Sequence, residues 1–208
     1  TAAKTTYTPN FTGVTPTGKG DESTGIQGAK QEGTPKFTEG DVKVPIKIDE
    51  TQPATFYNPL TKEPIAKTEI PATKDGKEVG KYEIDPKSGK VTFTPKKDFT
   101  GTPDPVTVQV KDANGTPATA TYTPTVTPVV PTAEPKETSG KQGQPQTQET
   151  ESMFKQGDEV APIDKSTVKL VDPSGNEVTT IPAMKDGKEV GTYTIDPITG
   201  VITFTPNK

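Results

Sequence analysis

Cysteine, histidine, tryptophan and arginine are all absent from the 208 residues, and aromatic residues make up only 6%. Without cysteine no disulfide can staple a small secreted domain, so each domain must rest on its core alone. Without histidine or cysteine the Ser-His and Cys-His nucleophile arrangements and the usual zinc sites are excluded. There is no guanidinium to grip phosphate, lysines are mixed evenly with acids, and the net charge is −4, so nucleic acid is not an expected partner. Apolar runs extend over only a few residues, which gives no signal peptide and no membrane span; the chain reads as a piece cut from a longer one. No Gly-rich stretch follows a strand and opens a helix, so no phosphate-binding loop is present.

What remains is a polar, turn-rich chain with 23 Pro, 19 Gly and 27% hydrophobic residues. Its ordered-looking stretches are filled with Thr, Val, Ile, Tyr and Phe, which favour strands. The chain turns on one stretch, Lys74–Lys97, which returns as Lys185–Lys208 about 111 residues later with roughly 17 of 24 positions identical. A domain-sized period means tandem domains and not a solenoid of short units. Within the stretch, Tyr82 and Ile84 alternate with polar neighbours, Asp85-Pro86-Lys87-Ser88-Gly89 supplies a turn, and Val91 and Phe93 alternate again. That pattern predicts a β-hairpin with four side chains on one face; Tyr193, Ile195, Ile202 and Phe204 repeat it.

In chain order, residues 1–33 read as the tail of a preceding repeat plus a linker, because Thr6-Tyr7-Thr8-Pro9 matches Thr121-Tyr122-Thr123-Pro124. Residues 34–126 read as a first full repeat. Its expected strands are Val42–Ile48 (at an edge, because of Pro45), Ala54–Tyr57, Ile65–Ala72, the two arms of the hairpin, Pro105–Val110 and Ala118–Val126. Residues 127–152 read as an extended linker, and residues 153–208 as a second, C-terminally truncated repeat lacking the equivalents of Asp98–Val126. Seven short strands in some 90 residues, with no useful helical periodicity, predict an all-β fold: tandem small β-sandwiches, Ig-like, joined by Pro/Gly/Gln-rich linkers, with the second repeat incomplete. A sandwich missing two strands exposes an edge and part of its core. The second repeat is therefore expected to be less ordered or completed by something else, Thr1–Val14 of another molecule being one candidate.

Residues in patterns that carry chemistry are few. Asp75/Asp186, Glu78/Glu189 and Asp85/Asp196 recur and could in principle supply paired carboxylates. Asp75 and Asp85, however, stand in Asp-Gly and Asp-Pro turns, where Asp caps local backbone. Asp112-x-Asn114-Gly115 has the flavour of a calcium loop but lacks the other ligands. A Lys–Asn crosslink would need one of Asn10, Asn58, Asn114, Asn176 or Asn207, all at turn or linker positions. Phe56-Tyr57 is the one adjacent aromatic pair, and Lys169-Leu170 replaces it in the second repeat. No catalytic, cofactor-binding or metal-binding residue is assigned, and no cofactor is expected.

Several ordered motifs carry a family resemblance: Gly25–Gly28, Phe37-Thr38-Glu39-Gly40-Asp41, Tyr82–Gly89, Val91–Pro95, Asp98–Thr102, Pro105–Val110 and Asp112–Thr116. Together they resemble the repeats of the CshA-type fibrillar surface adhesins of oral streptococci. The second repeat departs from the pattern, with Gly-Lys-Gln-Gly at Gly140–Gly143 and no Thr-Glu after Phe154. The resemblance implies an extracellular, wall-anchored cell-surface protein of a Gram-positive bacterium. Its repeats would form a structural stalk that projects an N-terminal ligand-binding region. Contact with host matrix protein (fibronectin) or with other microbes would be made through the parent adhesin. The alternative is that the repeats themselves are adhesive modules.

Overall fold

The computed structural model describes residues 1–208 and divides into two units, Thr1–Pro128 and Val129–Lys208. The first contains β1 (Thr17–Lys19), β2 (Asp21–Ile26), β3 (Gln31–Gly33), β4 (Lys36–Thr38), β5 (Ile46–Lys47), β6 (Thr55–Asn58), β7 (Glu63–Ile65), β8 (Glu69–Lys74), β9 (Lys77–Ile84), β10 (Val91–Pro95), β11 (Val106–Asp112) and β12 (Pro117–Thr127). The second contains β13 (Thr132–Ala133), β14 (Gln146–Gln148), the short helix α1 (Thr150–Met153), β15 (Phe154–Lys155), β16 (Leu170–Val171), β17 (Glu177–Val178), β18 (Thr180–Lys185), β19 (Lys188–Ile195) and β20 (Ile202–Pro206).

The repeated stretch forms the predicted hairpin. β9 and β10 pair antiparallel with Tyr82 opposite Phe93 and Ile84 opposite Val91. β8 joins β9 through Asp75-Gly76, both at positive φ (50° and 76°), the left-handed pair that a tight two-residue hairpin turn needs. β3 adds to the far side of β10, giving a four-stranded sheet in the order β3-β10-β9-β8.

Facing it is a larger sheet in the order β2-β12-β11-β6-β7, with β5 beside β11. Val106, Val108 and Val110 alternate on β11, and Ala118, Ala120 and Tyr122 on β12; all six are buried. All but Ala120 meet Ala72, Tyr82, Ile84, Val91 and Phe93 of the smaller sheet in one core cluster that also takes in Phe56 and Val126. The first unit is therefore a β-sandwich, as the alternation requires.

The linker expected within residues 1–33 is instead built into the sandwich. β2 pairs with β12, β3 with β10, and β1 with β4. The linker expectation came from a scarcity of apolar side chains, but ladder hydrogen bonds join backbone groups whatever the side chain. Small residues here even help: a Cβ on Gly33 would lie 2.2 Å from the Tyr122 ring, so glycine lets that ring close over the strand. Residues 127–152 likewise contain β13, β14 and most of α1, with β14 paired to β20. The expected strand at Val42–Ile48 shrinks to an Asp41–Val44 bridge and β5, with Val42 80% exposed. Ile65–Ala72 divides between β7 and β8, which lie in different sheets.

The second unit repeats the smaller sheet closely. Its order β14-β20-β19-β18 matches β3-β10-β9-β8, and the register irregularity at Ala183/Met184 matches that at Ala72/Thr73. The β13–β15 pair matches β1–β4. The remaining strands are the short β16–β17 pair.

Candidate functional site

Of the acids singled out in the sequence, Asp85, Asp196 and Asp112 accept hydrogen bonds from nearby backbone N–H groups. Asp85 accepts from the Lys87 N–H at 2.9 Å and from the Ser88 hydroxyl at 2.6 Å, and these bonds, the hydroxyl first, hold its carboxyl below the usual range. Asp196 accepts from the N–H groups of Ile198 and Thr199, both at 2.8 Å; the Thr199 N–H is the larger cause of its lowered pKa. Asp75 and Asp186 sit at positive φ in the two tight turns. Glu78 lies 3.4 Å from the Lys96 ammonium, both exposed, while at Glu189 it is the backbone carbonyl that accepts, from the Asn207 side chain. The three recurrent pairs are thus turn formers and surface charges, and no group of three or more acids converges in a metal-binding cluster.

Asp112 is wholly buried, and its Oδ1 accepts from the N–H groups of Asn114 and Thr116. That is an Asx-type cap on the β11–β12 loop. The asparagines do similar work: Asn58 Oδ1 accepts from Leu60 and Thr61, and the Asn176 amide donates to Asp172. Asn10 is exposed and belongs to no strand. Phe56 is fully buried and Tyr57 half-buried, so the aromatic pair is chiefly core.

The side chains that the fold does bring together come from the supposed linker and from β12, the last strand of the first unit. Tyr122 on β12 is fully buried, with its ring edge-on to Tyr82 at 6.3 Å between centroids. Its hydroxyl lies 2.7 Å from the Ser23 hydroxyl on β2, which donates to Gln31 Oε1 on β3 at 2.6 Å. The Gln31 amide in turn donates to the Thr125 carbonyl on β12 at 3.0 Å. The polar tip of a buried tyrosine is thereby satisfied, and three strands of both sheets are tied at one point. Burial pushes the Tyr122 hydroxyl above its ordinary pKa, and burial does the same, more strongly, to Tyr82, whose hydroxyl donates to the Asp104 carbonyl at 2.8 Å.

This network escaped the sequence reading because Ser23 and Gln31 lie in a stretch judged only by its lack of apolar residues. The signal that could have found it is the Gly33 position, where a strand must admit a ring, together with the recurrence of Gln31 as Gln146.

β2 and β12 run parallel over six register pairs, from Asp21 beside Tyr122 to Ile26 beside Thr127. The pairing continues at its end, where the Gln27 N–H donates to the Thr127 carbonyl at 2.8 Å and the Thr127 hydroxyl to the Gly25 carbonyl at 3.1 Å.

In the second unit the same region is a cleft of about 580 Å³ lined by Thr138, Gln146, Gln148, Met153, Tyr193 and Phe204, among others. Tyr193 is 40% exposed there, although its ring meets Phe204 at 5.1 Å and 40°, nearly the geometry of Tyr82 on Phe93 (5.3 Å, 40°). Gln146 Oε1 is buried without a hydrogen-bond partner.

Comparison with known proteins adds two findings. A family model described as the surface adhesin CshA repetitive domain matches residues 13–126 and again residues 128–208. No curated protein matches the chain in sequence. Among solved structures, a crystal structure of Down Syndrome Cell Adhesion Molecule (DSCAM) isoform 1.30.30, N-terminal eight Ig domains, is similar at 13% identity and a TM-score of 0.34. The match covers 93% of this chain and 24% of that one, so the chain spans about a quarter of that structure's length.

Proposed function

The chain belongs to the CshA repetitive-domain family of surface adhesins, and from that premise we propose that its repeats are structural stalk modules that carry tension and hold an adhesive region away from the cell. The observation that carries this reading is the parallel pairing of β2 with β12. β2 lies near the entry of the first unit and β12 at its exit. Tension pulls β2 backward along its axis and β12 forward along the same axis. In a parallel pair those pulls slide the strands past each other, so the ladder hydrogen bonds, which run across the pull, are loaded together. An antiparallel pair pulled from one end would instead lose its bonds one at a time. The Tyr122–Ser23–Gln31 network and the Thr127–Gly25 bond reinforce the same pair.

The proposal extends to an extracellular location with anchorage in a Gram-positive cell wall. No helix is long and apolar enough to cross a membrane. Host matrix protein such as fibronectin, or other microbes, would be engaged by another part of the adhesin. The competing reading, in which the repeats themselves adhere, draws less support, because the Phe56-Tyr57 pair that would anchor a partner is committed largely to the core. The turn-forming acids support a non-catalytic role. Small-angle scattering on arrays of one, two and three repeats tests the proposal. A maximum dimension that grows by nearly one domain length per added repeat is expected, and a particle that folds back into a compact shape would overturn it.

A further inference from the structure

We infer that a small cavity on the outer face of the first unit's larger sheet binds one acidic sugar residue, held chiefly by Gln52 and Lys111. This stands independently of the stalk reading. β5 and β6 both pair with β11, so the chain between them turns beside that strand. Asp49 fixes the turn: its Oδ1 accepts from the Thr51 N–H at 2.8 Å, the Thr51 hydroxyl at 2.6 Å and the Gln52 N–H at 3.0 Å. Val108 and Val110 are buried in the core, so by alternation Gln109 and Lys111 belong to the opposite face of β11. Gln109 is nonetheless only 7% exposed. It shares a cavity of about 120 Å³ with Thr51, Gln52, Pro53 and Thr55; Pro64 of β7 and Lys111 complete the lining. Two groups in it are uncommitted. Gln52 Oε1 is buried without a hydrogen-bond partner. Lys111 is exposed and enters no ion pair, whereas Lys47, opposite it in register, is held by Asp49 at 3.2 Å.

These groups state what they would hold. A buried carboxamide oxygen needs an O–H or N–H donor, and a free ammonium needs an anion. The Thr51 hydroxyl gives its proton to Asp49, so toward the cavity it can only accept. Pro53 and Pro64 add apolar C–H surface. The space is well below the roughly 300–1,000 Å³ of sites for larger ligands, so it suits one ring and not an oligomer. An acidic sugar meets every demand: its carboxylate pairs with Lys111, a ring hydroxyl donates to Gln52 Oε1, another donates to Thr51, and its C–H face packs on the prolines. A free amino acid fits worse, because its ammonium stands beside its carboxylate and would be repelled by Lys111. With a single lysine and no guanidinium, the cavity is poorly furnished for phosphate. The second unit keeps the turn without the carboxamide. Asp164 Oδ1 accepts from the Ser166 N–H at 3.0 Å and the Ser166 hydroxyl at 2.6 Å, as Asp49 does from Thr51, but the residue that follows is Thr167 and it is exposed. The site is therefore assigned to the first unit alone.

Titrating the full chain with glucuronate and galacturonate, followed by amide resonances, tests this. At least one of the two should give saturable shifts at Thr55 and Gln109, with a Kd of about 1–10 mM. Glucose, which lacks the carboxylate, should bind about tenfold more weakly. Lys111→Gln should remove that preference for the acid. Gln52→Thr, the residue that follows the same turn in the second unit, should abolish the saturable shifts without lowering the first unit's melting temperature. Shifts that fail to saturate with either acid would mean that the cavity holds water only, and would overturn the inference. So would glucose binding as tightly as the acids, saturable shifts that survive Gln52→Thr, or a glycyl-glutamate dipeptide binding as tightly as either sugar, which would make the cavity a carboxylate site for peptides.

Discussion

Tyr82 and Tyr193 occupy the same place in the same hairpin, opposite Phe93 and Phe204, with nearly the same ring geometry. Tyr82 is 2% exposed and Tyr193 is 40% exposed. Fourteen of the buried apolar residues belong to the first unit; only Ala183 and Ile195 belong to the second, and their counterparts Ala72 and Ile84 are buried too. The hairpin's own alternation, turn and bulge therefore set local shape, whereas burial comes from the facing sheet, above all from Tyr122 on β12. A strand pattern is a local property, and a core is made only when two such faces meet.

The largest break in this contrast should come from Tyr122→Ala. Removing a fully buried ring and leaving the Ser23 and Gln31 groups without it should cost the first unit about 3–5 kcal/mol and bring amide exchange at Val91 and Phe93 toward that at Ile202 and Phe204. Gly33→Ala follows, at about 1–3 kcal/mol, because the added methyl meets the Tyr122 ring. Gln148→Gly should produce no comparable loss in the second unit, and calorimetry of the two variants sharpens the comparison. Ser23→Ala should cost the first unit about 1 kcal/mol, while Thr138→Ala should leave the second unit's melting unchanged. Lys90→Ala, which removes an exposed pair with Glu32, should cost between about 0 and 1 kcal/mol.

Alkali should expose the same difference. Burial raises the pKa of Tyr82 and Tyr122 above the ordinary value of 10.0. As pH climbs, the phenols of the unfolded chain ionise first and draw the equilibrium away from the fold. Their contribution is full below pH 10 and is lost as pH rises from there toward the folded-state values. Denaturation followed by circular dichroism should show the first unit's midpoint falling above pH 10, with a shallower fall in Tyr82→Phe.

The hairpin, the β11–β12 pair and the all-β class were legible because each rests on alternation and turn residues close in sequence, such as Tyr82/Ile84 and Asp75-Gly76. The incorporation of β2 and β3 was not. Asp21–Ile26 pairs with residues about a hundred positions away, through backbone groups that leave no apolar signature. Val42–Ile48 misled in the opposite sense: its alternation is clean, yet Val42 stays in solvent and only Ile46–Lys47 finds a ladder. The unpartnered Gln146 oxygen of the second unit is likewise visible only once the strands are placed.

On the stalk reading, the parallel β2–β12 pair makes the first unit resist tension. Pulling single full-length molecules from their two ends tests it most directly. Two kinds of event are expected: an early low-force extension as the second unit opens, then one high-force rupture that releases the residues between Asp21 and Thr127 in a single step. Thr125→Pro, which removes an N–H from β12, should lower that second force while leaving the first unchanged. If the first unit instead yields gradually, at the force that opens the second, the strands are unzipping and the account of a shear-loaded stalk is wrong.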